Sequence, residues 1–270
     1  MQDLTTLFNE ILAAMPDDIQ TEPLDYHSYA LQQCEWYNAT KGNLDDMDCP
    51  ECKNRGYFQT LDADDNKVMK ECRCMAVRRY IKAMNTAGLG SLYQKCTFDR
   101  YEAKESWQKT CKDTAMRYSQ TDGDDWFYFA GSSGSGKTHL CTAICGELAK
   151  RGREIKYLQW ARLYEQLVQT RFKEYEQGEI FRCIEDVDVL YLDDFLKTPR
   201  NVQPKDDVLS YALEIVDARY KAEKKTIFSS EFQISQIITF DQALGGRIFE
   251  MAKDFQISTG NDSKRNYRVR

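Results

Sequence analysis

Apolar positions along the chain follow two periods in turn. Near the start, Leu4, Leu7, Phe8, Ile11, Leu12 and Met15 fall at helical spacing, with Asp3 placed to cap the run and Pro16 to stop it. A polar-aromatic helix is predicted over His27–Asn38, and a basic helix from Cys74 to Leu89 that closes at Gly88 or Gly90. Between them, Gly56–Leu61 and Lys67–Glu71 read as two strands joined by a turn over Asp62–Asn66. From Trp126 the pattern changes. Short apolar runs at Trp126–Ala130, Glu154–Trp160, Val187–Leu192 and Lys225–Ser229 alternate with helical stretches at Thr138–Leu148, Ala161–Tyr175 and Val208–Ala222. That alternation predicts an α/β fold, a parallel sheet with helices on both faces.

Composition adds limits. The chain has 270 residues, 42% hydrophobic and 30% charged, which suits a folded globular protein. No apolar run of about 18 residues is present, so no membrane span or membrane partner is expected. The N-terminal stretch carries Asp3 and Glu10 and lacks the basic cluster of a signal peptide, which points to the cytoplasm. Net charge is −6, against a generic nucleic-acid coat protein. The charge is uneven. Residues 1–65 hold 14 acids and 3 bases, residues 66–90 hold 6 bases and 1 acid, and residues 91–270 hold 28 of each. This asymmetry predicts two modules with different partners, 1–90 and 91–270.

The segment Gly131-Ser132-Ser133-Gly134-Ser135-Gly136-Lys137-Thr138 matches G-x-x-x-x-G-K-[ST] and lies between a predicted strand and a predicted helix. Its glycines let backbone N–H groups turn toward phosphate oxygens, and the helix N-terminus adds positive potential. Lys137 is expected to reach the β- and γ-phosphates of ATP, and the Thr138 hydroxyl to ligate Mg²⁺. Such chemistry needs a carboxylate at the end of a neighbouring strand. Val189-Leu190-Tyr191-Leu192-Asp193-Asp194 supplies it. Asp193 is assigned to the metal, and Asp194 to the attacking water.

Four cysteines form two close pairs, Cys49–Cys52 and Cys72–Cys74, at the two ends of the predicted hairpin. A hairpin brings its ends together, so a structural Cys₄ site for Zn²⁺ is expected, with an iron–sulfur cluster or buried thiols as alternatives. The other six cysteines are scattered, and no function is assigned to His27 or His139.

With these features in order, the chain resembles the DnaC/DnaI family of AAA+ replicative helicase loaders, notably the phage-type DnaC-like proteins. The resemblance rests on Cys49-Pro50-Glu51-Cys52 with Cys72-Arg73-Cys74, on Trp126–Phe129 with the phosphate loop, and on Leu192-Asp193-Asp194-Phe195. It implies a P-loop AAA+ core without a full helical lid, since only 23 residues follow Arg247. It also implies that Leu244-Gly245-Gly246-Arg247-Ile248 carries an arginine finger and that Arg268 contacts nucleotide. The family's Thr-Ser-Asn sensor is Ser229-Ser230-Glu231 here, which leaves Ser230 as the candidate polar contact and sets a carboxylate, Glu231, where an amide is usual. Arg219 is a second candidate for an intersubunit contact.

The function implied is an ATP-dependent helicase loader. Its partners would be a replicative hexameric helicase of the DnaB type, single-stranded DNA, and other copies of itself through the ATPase domains. The helicase would be bound by residues 1–90. Two alternatives stand beside it: an IstB-type transposition helper ATPase, and a zinc-ribbon adaptor that binds nucleotide with little turnover.

Overall fold

The computed structural model describes residues 25–45, 47–86, 90–198 and 203–260. The apolar stripe of Leu4–Met15 and the terminal Arg268 lie outside them. The chain forms two compact units that divide between Cys72 and Arg73.

In the first unit, α1 (Tyr26–Ala39) precedes a hairpin of β1 (Tyr57–Leu61) and β2 (Lys67–Glu71). Asp25 caps α1 by accepting from the Ser28 N–H at 2.8 Å. The strands pair antiparallel from Tyr57 opposite Glu71 to Leu61 opposite Lys67, as the alternating sequence predicts. The turn is held by Asp62, whose Oδ1 accepts from the N–H groups of Asp64 and Asn66 at 2.9 Å each. Asn38 fastens α1 to β1 by exchanging two 2.8 Å hydrogen bonds with the Gln59 backbone. Neither strand contains a fully buried residue. Among its described residues the buried positions are Ala30, Cys34, Asn54, Gly56 and the cysteines at 49, 52 and 72.

The second unit begins with α2 (Cys74–Thr86), α3 (Gly90–Lys95) and α4 (Ser106–Ser119). The helix at Cys74 was expected to end the N-terminal module. It groups instead with the larger unit, because its buried face packs there: Tyr80 is fully buried, meets Tyr93 edge-on at 5.3 Å, and lies 3.5 Å from the Thr142 carbonyl. The sheet follows, with β3 (Phe127–Ala130), β4 (Ile155–Gln159), β5 (Val189–Phe195), β6 (Lys225–Ser230) and β7 (Gln256–Ser258) in the spatial order β4-β5-β6-β3-β7. All neighbours are parallel, as the alternating pattern predicts. Helices α5 (Lys137–Lys150), α6 (Trp160–Gln169), α7 (Glu174–Asp186), α8 (Asp206–Lys221), α9 (Ile234–Phe240) and α10 (Gln242–Ala252) connect and flank the strands. β3, β5 and β6 are buried almost throughout, the mark of strands covered on both faces.

Two readings of this region need correction. The helix expected over Ala161–Tyr175 is two helices. α6 buries Trp160, Leu163 and Leu167 and then runs out of apolar positions. The Thr170 hydroxyl bonds back to the Gln166 carbonyl at 2.8 Å, Phe172 is 92% exposed, and α7 starts afresh at Glu174. Arg219, the second candidate for an intersubunit contact, is fully buried in α8. Its guanidinium donates to the carbonyls of Ile184, Val187 and Lys225 at 3.0, 2.7 and 2.6 Å, so it ties the end of α7 and its exit to β6 rather than reaching another subunit. Burial holds its pKa down at about 10, and the carbonyls take up the hydrogen-bonding capacity water would otherwise satisfy.

Candidate active site and metal centre

The phosphate loop leaves the C-terminal end of β3 and opens α5. The Gly131 N–H bonds to the Ser230 carbonyl at 3.0 Å, which seats the loop against β6. Its glycines are needed for two reasons. A Cβ at Gly131 would lie 2.0 Å from Thr259 Oγ1, and Gly136, the N-cap of α5, has φ +90°. Lys137 is buried, and its Nζ donates to the carbonyls of Gly131 and Ser132 at 2.8 and 2.9 Å, inside the curl of the loop. Burial holds its pKa below the usual lysine value, against the pull of Glu231, Asp194 and Asp193.

Asp193 is the best-supported group of the site. It is 4% exposed and receives four hydroxyls: Thr138 at 3.2 Å, Tyr191 at 2.7 Å and Ser229 at 2.5 Å on Oδ1, and Tyr157 at 3.0 Å on Oδ2. Burial and the adjacent carboxylate hold both tyrosines protonated, well above the usual phenol range. A carboxylate at a strand end is thereby fixed in place and aimed at the Thr138 hydroxyl. Together these two oxygens offer the hard donors that Mg²⁺ takes with phosphate.

At Asp194 the β5–β6 pairing slips between Leu192 and Phe195, and the residue adopts left-handed φ +53°. This irregularity turns two successive acids toward one side of the strand end, where regular pleating would send them to opposite faces. The Asp194 N–H bonds to Ser229 Oγ at 3.0 Å, and its Oδ2 lies 2.8 Å from Lys197 Nζ.

Phosphate loop and acids line one cavity of about 710 Å³, with Ser133, Gly134, Gly136, Lys137, Thr138, Asp193, Asp194 and Glu231 among its walls. Ser132 and Ser135 belong to the same loop, and Ser135 is fully buried beneath it. Ser230 does not line the cavity. It is fully buried, donating to the Phe195 carbonyl at 2.8 Å and accepting from the Phe232 N–H at 3.1 Å. The serine that reaches the acids is Ser229. Arg247, on α10, also lies away from the cavity lining, with Nε 2.6 Å from Asp217 Oδ1. His139 does border it, holding the Thr97 carbonyl at 2.9 Å and meeting Tyr101 edge-on at 5.3 Å.

The sequence analysis missed Tyr157, Tyr191, Ser229 and Lys197. Tyr191 carried a signal, since it stands two residues before Asp193 on the same strand face. Tyr157 carried none until β4 pairs with β5, where it lies opposite Tyr191.

The four cysteines meet at the base of the hairpin. Their sulfurs all lie within 4.8 Å of one another, and Cys49 Sγ is 3.8 Å from Cys72 Sγ. Four thiolates tetrahedral about Zn²⁺ at about 2.3 Å would stand about 3.8 Å apart, so the spacing fits. The knuckle is shaped by Lys53, Asn54 and Gly56, all at positive φ. The Asn54 side chain accepts from the Cys49 N–H at 2.7 Å, and the Gly56 N–H lies 3.3 Å from Cys52 Sγ, a contact that favours a thiolate.

Phe172 and Tyr175 are 92% and 76% exposed between α6 and the start of α7. Tyr164 instead donates to Asp207 at 2.6 Å, and Lys173 pairs with Glu176 at 3.0 Å.

Comparison with known proteins gives this geometry a family. Residues 92–252, more than half of the chain, match the model of the bacterial DnaA ATPase domain. The uncharacterized protein YqaM of Bacillus subtilis (strain 168) is 28% identical over 212 residues, 74% of this chain and 66% of its own length. The replicative helicase loader DnaC of Escherichia coli (strain K12) is 28% identical over 161 residues, 58% of this chain and 62% of its own. The chain thus spans just under two thirds of these relatives. The crystal structure of the DnaC helicase loader superposes with a TM-score of 0.53 over 63% of this chain and 98% of that one, at 20% identity, which shows a shared fold. The chain thus belongs to the bacterial DnaA ATPase-domain family, and its fold is similar to that of the DnaC helicase loader.

Proposed function

We propose that this protein is an ATP-dependent helicase loader of DNA replication, delivering a replicative hexameric helicase onto single-stranded DNA. The observation that carries the reading is one chain joining the Lys137–Thr138–Asp193–Asp194 cavity to a four-thiol hairpin unit. An IstB-type helper shares the ATPase core, so the cysteine unit favours the loader.

ATP would lie along the phosphate loop, with Lys137 turned to its β- and γ-phosphates. Mg²⁺, held by Thr138 and Asp193, would neutralise charge on the phosphate oxygens. Asp194 would accept a proton from water as the water oxygen bonds to the γ-phosphorus. The bond from phosphorus to the bridging oxygen breaks, and ADP and phosphate leave. Asp194→Asn keeps the shape and removes the acceptor. It is expected to bind ATP as the unaltered chain does and to lower turnover at least about a hundredfold, measured as phosphate release with and without single-stranded DNA. Turnover at the unaltered rate would remove Asp194 from the role. Negligible turnover by the unaltered chain under all conditions would favour the nucleotide-binding adaptor.

Arg247 is proposed to act on a neighbouring copy, and Arg268 on nucleotide in its own. In support, Arg247 stands outside the cavity of its own chain. Mixing inactive Arg247→Ala with inactive Lys137→Ala is expected to restore part of the activity, because some mixed interfaces then hold one intact site. No recovery from a mixture shown to co-assemble would exclude a shared site. Phe172 and Tyr175 are proposed to stack on DNA bases, with Arg162 and Arg171 on phosphates.

A further inference from the structure

Four acids line the phosphate-loop cavity: Glu102, which pairs with Lys104 at 2.7 Å, and Asp193, Asp194 and Glu231. Asp193 is fully engaged by the four hydroxyls described above. Glu231 is not used by the chemistry so far, yet its side chain is only 10% exposed and it lies in the wall that an anionic phosphate must approach. Left alone, it would repel that ligand. It is not alone. Lys197 Nζ lies 3.6 Å from Glu231 Oε1 and 2.8 Å from Asp194 Oδ2, so one ammonium spans both carboxylates. The backbone is bent to put it there: Asp194 and Leu196 both have left-handed φ, +53° and +58°, and the Lys197 N–H closes a turn onto the Asp194 carbonyl at 3.0 Å. Non-glycine residues seldom adopt this conformation, and two in three positions mark a segment held in place by its surroundings. Lys197 itself lines the cavity and keeps 43% of its side chain exposed, so its ammonium is free to move toward a ligand.

We propose that Lys197 is a second phosphate-binding cation, held at the cavity by Glu231, whose ammonium exchanges Asp194 for the terminal phosphate of a nucleoside triphosphate. The proposal rests on the nucleotide reading above and goes beyond it in naming how a triphosphate is told from a diphosphate. Glu231 has two effects. It keeps the ammonium beside the cavity, and it depends on that ammonium to be tolerated next to phosphate. Asp194 gains the selectivity. While Lys197 sits 2.8 Å from its Oδ2, that oxygen is already occupied by the ammonium. A terminal phosphate offers the ammonium a more highly charged partner and frees Asp194 to accept from water. A diphosphate leaves the ammonium on Asp194.

The test is calorimetric titration of the full chain with Mg²⁺-ADP and with a Mg²⁺-bound, non-hydrolysable ATP analogue. Lys197→Met is expected to weaken the analogue about tenfold while ADP stays within about twofold, since only the terminal phosphate loses a partner. Adding Glu231→Gln to Lys197→Met removes the uncovered acid and is expected to recover only the part of the loss that its repulsion causes, because the terminal phosphate still lacks its cation. Lys197→Arg keeps the charge and retains the preference for the analogue, which separates a charge effect from misfolding. Equal weakening of both nucleotides by Lys197→Met, full recovery in the double variant, or loss of the preference in Lys197→Arg would each overturn the proposal and leave the lysine as a partner of the two acids alone. If the unaltered chain binds neither nucleotide, the nucleotide reading fails, and this proposal with it. That outcome is distinct from binding both and failing to discriminate after Lys197→Met.

Discussion

Lys137→Ala is expected to abolish ATP turnover and to weaken ATP binding about a hundredfold, with the fold intact. The size follows from the site. Lys137 is buried, its ammonium lies inside the loop, and four acids share the cavity wall. Removing it takes the main cation from a place that must accept a highly charged ligand, and leaves acids to repel it. Isothermal titration with ATP, beside a thermal melt, reads both halves of the expectation. Asp193→Asn makes a useful contrast. It keeps the four hydroxyl contacts roughly in shape and removes the charge, so it should lose Mg²⁺-dependent activity while nucleotide still binds. ATP affinity within a few-fold of the unaltered value in Lys137→Ala would show that the loop does not hold phosphate in the way described.

The second large effect is expected from the cysteines. We expect one Zn²⁺ per chain, and we expect Cys72→Ser, or chelation, to unfold the hairpin unit while nucleotide binding survives. The hairpin has little else to hold it. No residue of β1 or β2 is fully buried, and most of the buried positions of this unit are cysteines. A unit of this size without a sizeable apolar core commonly needs a metal or disulfides. Zinc bound by four thiolates contributes on the order of 10 kcal/mol to folding, far more than the turn and the Asn38 contacts can replace. Limited proteolysis within residues 25–72, with and without chelator, checks this alongside metal analysis. Gently purified protein with no metal above background would sink it.

How far the sequence could be read depended on whether a feature is local. The phosphate loop was legible because glycine spacing, lysine and hydroxyl all lie within one strand–turn–helix. Four thiols at the ends of one hairpin were legible for the same reason. The surroundings of Asp193 were not, because Tyr157, Tyr191 and Ser229 come from three strands that meet only once the sheet order β4-β5-β6 exists. The choice between Ser229 and Ser230 turned on one residue of strand register, which sends neighbouring hydroxyls to different surroundings. Arg219 was an intersubunit candidate because a charged residue late in a helix is usually exposed. Its burial is explained by carbonyls from α7, its C-cap and β6 converging on it, which no helical pattern reports. Lys197 was invisible until the slip at Asp194 brought its ammonium back over two acids.

The central claim is helicase loading driven by nucleotide. It is tested most directly by mixing the purified full chain with the replicative hexameric helicase of its own host, single-stranded DNA and ATP, and measuring how much helicase becomes DNA-bound. The account predicts a stable complex of the two proteins and a gain in DNA-bound helicase that needs ATP and is lost in Lys137→Ala. No complex with that helicase, and no gain in loading under conditions where the chain hydrolyses ATP, would contradict it and favour a transposition helper.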